Sequence, residues 1–191
     1  VISPGRIEIA LVSSSPRRRE ILEMVGFNFR VLKVNAVEKE YSSPYETAVK
    51  NAESKLLAAK DQIFPGEVGL AADTIVVLGD RILGKPSSRE EAVEFLKMLS
   101  GFWHTVITGF SLLIDGRIIS SYEESRVKFK RLTREEIEWY VSTDEPLDKA
   151  GAYGVQGKGA LFVERIEGDF FNVMGLPIGK IYDILSLELK E

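Results

Sequence analysis

No cysteine and a single histidine, His104, occur in the 191 residues. The first absence removes disulfides, thiol nucleophiles and thiolate metal sites together. The second excludes a multi-histidine metal centre. Any metal must therefore be held by carboxylates and substrate oxygens, which points to Mg2+ or Mn2+. Long apolar runs are missing too. No stretch is long enough to cross a bilayer and no signal-peptide pattern is present, so the expectation is a cytoplasmic protein with no membrane partner. Positive charge is not in excess. The net charge is −4, whereas a duplex-binding domain is usually basic, so general nucleic-acid binding is disfavoured. A local basic cleft for a small polyanion remains open. What is present suits a globular core: 45% of residues are hydrophobic and 28% charged. The length fits one domain of ordinary size or two small lobes. There is no internal repeat, low-complexity segment or clear linker.

Strand and helix signals alternate along the chain, which argues for an α/β protein. Ile7, Ile9, Leu11 and Val12 suit a buried strand. Ile21, Leu22 and Val25 recur at helical spacing up to Gly26, a plausible helix stop. Ser15 suits the N-cap and Pro16 the first helical position. Phe29 to Val34 alternates like a half-buried strand. Ser43-Pro44-Tyr45-Glu46 reads as a capping box opening a helix to about Lys60. Leu70 to Leu78 is a strand, with Gly79-Asp80 suited to a hairpin turn. Ser88 with Glu91 opens a helix that buries Ala92, Phe95, Leu96 and Leu99. Trp103 to Ile114 and Arg117 to Lys130 form a long hairpin joined at Asp115-Gly116. Thr133 with Glu136 caps a short helix. A glycine-rich loop spans Gly151 to Gly159, a strand Ala160 to Ile166, and a final helix starts at Pro177.

Four segments carry the chemistry. In the first, Ser13-Ser14-Ser15-Pro16-Arg17-Arg18-Arg19 places arginines in the first turn of a helix, where the dipole is already positive. Serine hydroxyls, helix N–H groups and guanidinium forks at one spot describe a phosphate site; the plainer alternative is a solvated basic turn. In the second, Asp73 interrupts an apolar strand. It is either satisfied by a nearby arginine or lysine, or it serves as a general base or metal ligand at a cleft. In the third, Gly79 to Lys85 mimics a P-loop. Pro86 stands where a Mg2+-binding hydroxyl is required and the context is a hairpin, so a P-loop is rejected. Lys85 still offers a point charge for phosphate or is a surface turn lysine. In the fourth, the glycines of residues 151–159 permit close backbone approach to a ligand, and Gln156 offers both donor and acceptor to a base edge; the alternative is a flexible surface loop. Lys55 sits beside the apolar stripe of its helix. Glu38 and Glu40 follow the second strand, where either is a metal ligand or simply faces water. His104 reads as structural, since it has no second histidine or cysteine.

Taken together, S-S-S-P-R-R-R at 13–19, A-A-D-T at 71–74, L-G-K-P at 83–86, S-G-F-W-H-T-V-I-T-G at 100–109, D-K-A-G-A-Y-G-V-Q-G at 148–157 and M-G-L-P at 174–177 resemble the Maf family of nucleoside triphosphate pyrophosphatases. The resemblance runs nearly end to end and implies a single domain over residues 1–191. The implied fold is an elongated α/β structure with a strongly bent mixed sheet and two lobes around a cleft, as in inosine triphosphate pyrophosphatases. It also implies a cytoplasmic homodimer that needs Mg2+ or Mn2+ and cleaves a triphosphate to the monophosphate and pyrophosphate, with some link to division control. Carried over residue by residue, substrate binding falls on Ser13, Arg17, Arg18, Lys55, Thr74, Lys85 and Gln156. The catalytic carboxylate falls on Asp73, which shares the metal with Glu38, or with Glu40 under a shifted alignment. Arg17, Thr74 and Gln156 resemble the branch acting on dTTP and UTP rather than the branch acting on 7-methyl-GTP. A primary amide suits the carbonyl–NH–carbonyl edge of uracil or thymine, which a carboxylate would repel. A nucleotide-sensing regulator that binds without turnover shares every phosphate-binding residue and is the rival reading.

Overall fold

The computed structural model describes residues 2–189. Along the chain lie β1 (Glu8–Val12), α1 (Pro16–Val25), β2 (Asn28–Leu32), α2 (Pro44–Ala59), β3 (Val68–Leu78), β4 (Arg81–Leu83), α3 (Arg89–Leu99), β5 (Trp103–Ile114), β6 (Arg117–Phe129), α4 (Arg134–Ser142), β7 (Val163–Glu167), α5 (Phe170–Met174) and α6 (Ile178–Glu188). The strands form one seven-stranded mixed sheet in the order β2-β1-β3-β5-β6-β7, with β4 on β3. The fold class is therefore mixed α/β, as the alternating signals require.

The chain divides into two compact units. The first comprises Val1–Asp73, Thr108–Glu123 and Gly175–Glu191. Here β1 pairs in parallel with β2 on one side and with β3 on the other. Parallel neighbours need crossover connections, and α1 and α2 lie in them. Gly26 ends α1 in the left-handed region at φ 80°, where a side chain would be strained. The core of this unit is aliphatic: Ala10, Val12, Leu32, Leu56, Ala59, Ala71 and Leu113. Helix α2 lies very close to β5. A Cβ on Gly109 would stand 2.3 Å from the carbonyl carbon of Ala48, so only glycine fits there.

The second unit comprises Thr74–Ile107 and Glu124–Met174. Its core is aromatic, with Phe95, Phe129, Tyr140, Tyr153 and Phe162 among Leu83, Leu96 and Leu99. Phe129 and Tyr153 meet edge to face at 4.6 Å between centroids, and Tyr140 and Phe162 at 4.9 Å, the geometry ring quadrupoles favour. Thr133 and Glu136 form the full capping box of α4.

The structure departs from the sequence reading in four places. Ser15 occupies the N-cap of α1 without a side-chain cap bond; its N–H instead donates to Ser13 Oγ at 3.1 Å. Strand β2 stops at Leu32, short of Val34. The stretch expected as a strand from Ala160 is a 3₁₀ turn over Lys158–Phe162, and β7 starts only at Val163. The N–H groups of Lys158 and Gly159 are taken by the Glu145 carboxylate rather than by a neighbouring strand. Helix α5 had no expectation at all. It is too short to show a helical period, and it starts where Asp169 Oδ1 accepts from Phe171 N–H at 2.7 Å.

Candidate active site

Strand β1 leads through α1 to β2 on one flank, and α2 leads to β3 on the other. The carboxyl end of β1 is thus the point where the connections diverge, the usual ligand position of an open α/β sheet. Register places Val12 opposite both Leu32 and Ala71. Ser13 therefore follows directly at the end of β1, and Asp73 lies two residues beyond the last paired position of β3.

Five of the residues singled out in the sequence meet there, all in the first unit. Arg18 is buried at 9% exposure, unusual for a guanidinium. Its Nε donates to the Gly175 carbonyl at 2.8 Å and its Nη1 to Ser13 Oγ at 3.1 Å. Burial lowers the Arg18 pKa to about 10, with Asp73 and Glu38 opposing that shift and Arg17 adding to it. Arg18 therefore remains a cation at neutral pH. Lys55 donates to Asp73 Oδ1 at 2.6 Å and pairs with Glu38 Oε1 at 2.8 Å. Asp73, expensive to bury as a lone charge, is satisfied here by that ammonium. Of the two candidate glutamates, Glu38 is the one that reaches Lys55. Arg17 lies half-exposed beside Arg18.

Sequence reasoning missed Asn51. Its Oδ1 accepts from Lys39 N–H at 2.9 Å, and its Nδ2 donates to the Lys39 carbonyl at 3.0 Å and to Asp73 Oδ2 at 3.3 Å. This one buried amide ties the segment carrying Glu38 to the carboxylate of Asp73. The available signal was a polar residue one turn before Lys55, on the face of α2 that also buries Ala48 and Ala52.

Thr74, Lys85 and Gln156 belong to the second unit. Lys85 is exposed, and Thr74 and Gln156 are half-buried. The segment before Lys85 is tied to the glycine-rich stretch, since Gly151 N–H donates to the Gly84 carbonyl at 3.1 Å. That stretch is not a flexible surface loop: residues 151–155 are all buried. His104 is structural, as its lack of partners suggested. It lies in the second unit, with Nε2 2.7 Å from the Tyr153 hydroxyl.

Among the described residues, no group of three or more histidine, aspartate or glutamate side chains is placed to hold a metal ion. The two carboxylates around Lys55 form a smaller set. Mg2+ is commonly held by one or two carboxylates together with substrate phosphates and waters rather than by an all-protein cage. Asp73 and Glu38 thus fit a cation that arrives with a polyphosphate. Arg18, Lys55 and the positive end of α1 suit a polyanion, and the two carboxylates suit the cation that accompanies it. No helix of the described residues is long and apolar enough to cross a membrane.

Residues 8–188 match the Maf family, described as Maf-like protein. Similar proteins carry the name dTTP/UTP pyrophosphatase. That of Pyrococcus furiosus is 49% identical over 184 residues, covering 94% of this chain and 95% of the relative. That of Pyrococcus abyssi is 46% identical over 183 residues, covering 95% and 97%. That of Bacillus anthracis is 45% identical over 177 residues, covering 91% and 92%. Among solved structures, the Staphylococcus aureus Ham1 protein aligns with a TM-score of 0.44 at 16% identity, over 64% of this chain and 71% of that one.

Proposed function

This chain belongs to the Maf family, and on that premise we propose that it is a nucleoside triphosphate pyrophosphatase acting on dTTP and UTP. The observation that carries the reading is the ionic cluster of Arg18, Lys55, Asp73 and Glu38 beside Ser13 at the carboxyl ends of parallel strands. The relatives' shared enzyme name disfavours the rival of a regulator that binds without turnover.

Arg18 and Ser13 are locked together before any ligand arrives, so little orientation is lost when a triphosphate binds. Arg17 and the positive end of α1 extend the same electrostatic cradle, and Lys85 adds a point charge. Asp73 is held from both oxygens, by Lys55 on Oδ1 and Asn51 on Oδ2. A carboxylate fixed in this way orients a water and receives its proton. The water oxygen bonds to the α phosphorus, the bond from that phosphorus to the bridging oxygen breaks, and pyrophosphate leaves with the electron pair. Asp73 and Glu38 are the residues that would hold Mg2+ or Mn2+, whose chemistry when bound is to neutralise phosphoryl charge. Lys55 keeps those two carboxylates together. Arg17, Thr74 and Gln156 select a pyrimidine edge. The same reading takes the whole chain as one functional domain, working in the cytoplasm as a homodimer.

Product analysis tests the proposal. Hydrolysis of dTTP in the presence of Mn2+ should release pyrophosphate and the monophosphate in equal amounts. Orthophosphate with a diphosphate would refute the bond assignment, and tight nucleotide binding without any product would restore the regulator.

A further inference from the structure

The mechanism does not use Glu145, yet this half-buried carboxylate organises the turn on which Gln156 sits. Its Oε1 accepts from the Tyr140 hydroxyl at 3.0 Å and from Gly159 N–H at 3.2 Å. Its Oε2 accepts from Lys158 N–H at 3.2 Å. The Tyr140 oxygen in turn accepts from Gly154 N–H at 3.2 Å. Both ends of the turn are thereby tied to one side chain, directly at residues 158 and 159 and through Tyr140 at residue 154. The glycines fit that clamp. At Gly157, φ is +92° and a Cβ would stand 3.0 Å from Glu145 Oε1; at Gly159 a Cβ would stand 2.3 Å from the Gly154 carbonyl oxygen. Close approach of the turn to itself therefore accounts for glycine at these positions, where the sequence suggested close approach to a ligand.

A base-reading amide discriminates only if it is held in one orientation. A mobile amide rotates to satisfy either a donor or an acceptor, and ordering it on binding reduces affinity. We propose that Glu145 is a positioning residue for base selection, holding the 154–159 turn so that Gln156 meets the uracil or thymine edge in a single geometry. The inference rests on the reading of Gln156 as the base-selecting residue.

UTP and CTP differ only at the edge in question, so the ratio of their kcat/KM values reports the discrimination. Glu145→Gln keeps the shape but turns an N–H toward the N–H of Lys158, which removes one acceptor. The ratio should fall about tenfold, the scale of one lost hydrogen bond. KM for UTP should rise while kcat stays within about twofold, the pattern of lost binding rather than lost chemistry. A merely structural role would lower the melting temperature and kcat together and leave the ratio unchanged, which would overturn the proposal. Gln156→Ala is measured beside it. If that variant loses discrimination and folded Glu145→Gln does not, the clamp is refuted while base reading stands. If Gln156→Ala keeps the ratio, base reading itself fails and the clamp has nothing to position. Should Glu145→Gln not fold, Tyr140→Phe removes only the hydroxyl linking Glu145 to Gly154, and the same ratio decides.

Discussion

The first unit is built on aliphatic residues around short parallel strands, and its functional groups are charged side chains locked to one another. The second is built on rings packed edge to face, and its candidate base-reading amide, Gln156, sits in a turn whose N–H groups are held by the side chains of Glu145 and Tyr140. In the first unit the proposed chemistry depends on charge, because Lys55, Asp73 and Glu38 form one ionic unit. In the second, the number of acceptors decides, because the Glu145 carboxylate and the Tyr140 hydroxyl hold the turn by accepting from its N–H groups. On the proposed function, Ser13, Arg18, Lys55, Asp73 and Glu38 of the first unit serve phosphate binding and reaction, and Gln156 of the second reads the base.

The largest effect expected from this contrast is on turnover. Asp73→Asn keeps the shape and the neighbouring Lys55 and Asn51, but removes the charge. The fold should survive, and kcat should fall by about a hundredfold or more, the scale of a lost general base. The UTP to CTP ratio should be preserved in whatever activity remains. A folded Asp73→Asn protein with unchanged kcat would break the contrast at its strongest point.

The next effect is on stability. Gly109→Ala forces a methyl group against the backbone of Ala48, which cannot retreat as a flexible side chain would. Unfolding in urea should show a loss of about 3 kcal/mol, at the upper end of overpacking costs. Activity should fall with it, because α2 carries both Asn51 and Lys55. A midpoint equal to that of the parent protein would mean that α2 is not held as tightly as its contact with β5 implies.

The effect that is smallest near neutral pH is a dependence on pH in the second unit. Burial among the rings lowers the His104 pKa from 6.5 to about 3, and its Nδ1 is buried without a hydrogen-bond partner. Below pH 6.5 the unfolded chain takes up a proton that the folded chain refuses. The stability that depends on neutral His104 is therefore complete above that pH and declines as pH falls toward about 3. The slope from this one group is at most about 1.4 kcal/mol per pH unit. His104→Gln should flatten the stability profile in that window by comparison with the parent. Parallel profiles for the two proteins would show that the imidazole protonates without unfolding the ring cluster.

The sequence was most legible where structure is local. Ser88 with Glu91, Thr133 with Glu136, and the Asp115-Gly116 turn set helix starts and the long hairpin through contacts only a few residues apart. Asp73 was conspicuous because an ionised group in an apolar strand demands a partner, and Arg17 and Arg18 because cations oppose the helix dipole. Family resemblance implied roles for Lys55 and Thr74 that no local pattern assigned, and chose among the alternatives that Ser13, Lys85 and Gln156 left open.

By itself the sequence determined the α/β class, the order of the elements apart from α5, and the carboxylate that could not be left unpaired. Steric preferences, capping and hydrophobic period act over a few residues and leave their mark directly in the order of residue types. Only the tertiary structure decided that Lys55 is the partner of Asp73, that Glu38 rather than Glu40 joins them, that Asn51 ties the set together, and that Glu145 holds the turn of Gln156. Those bonds join positions separated by a dozen residues or more, apart from the contact of Tyr140 with Glu145. Their partners are chosen by where the parallel strands end and how the chain returns to them, and nothing local in a glutamate or an asparagine records that.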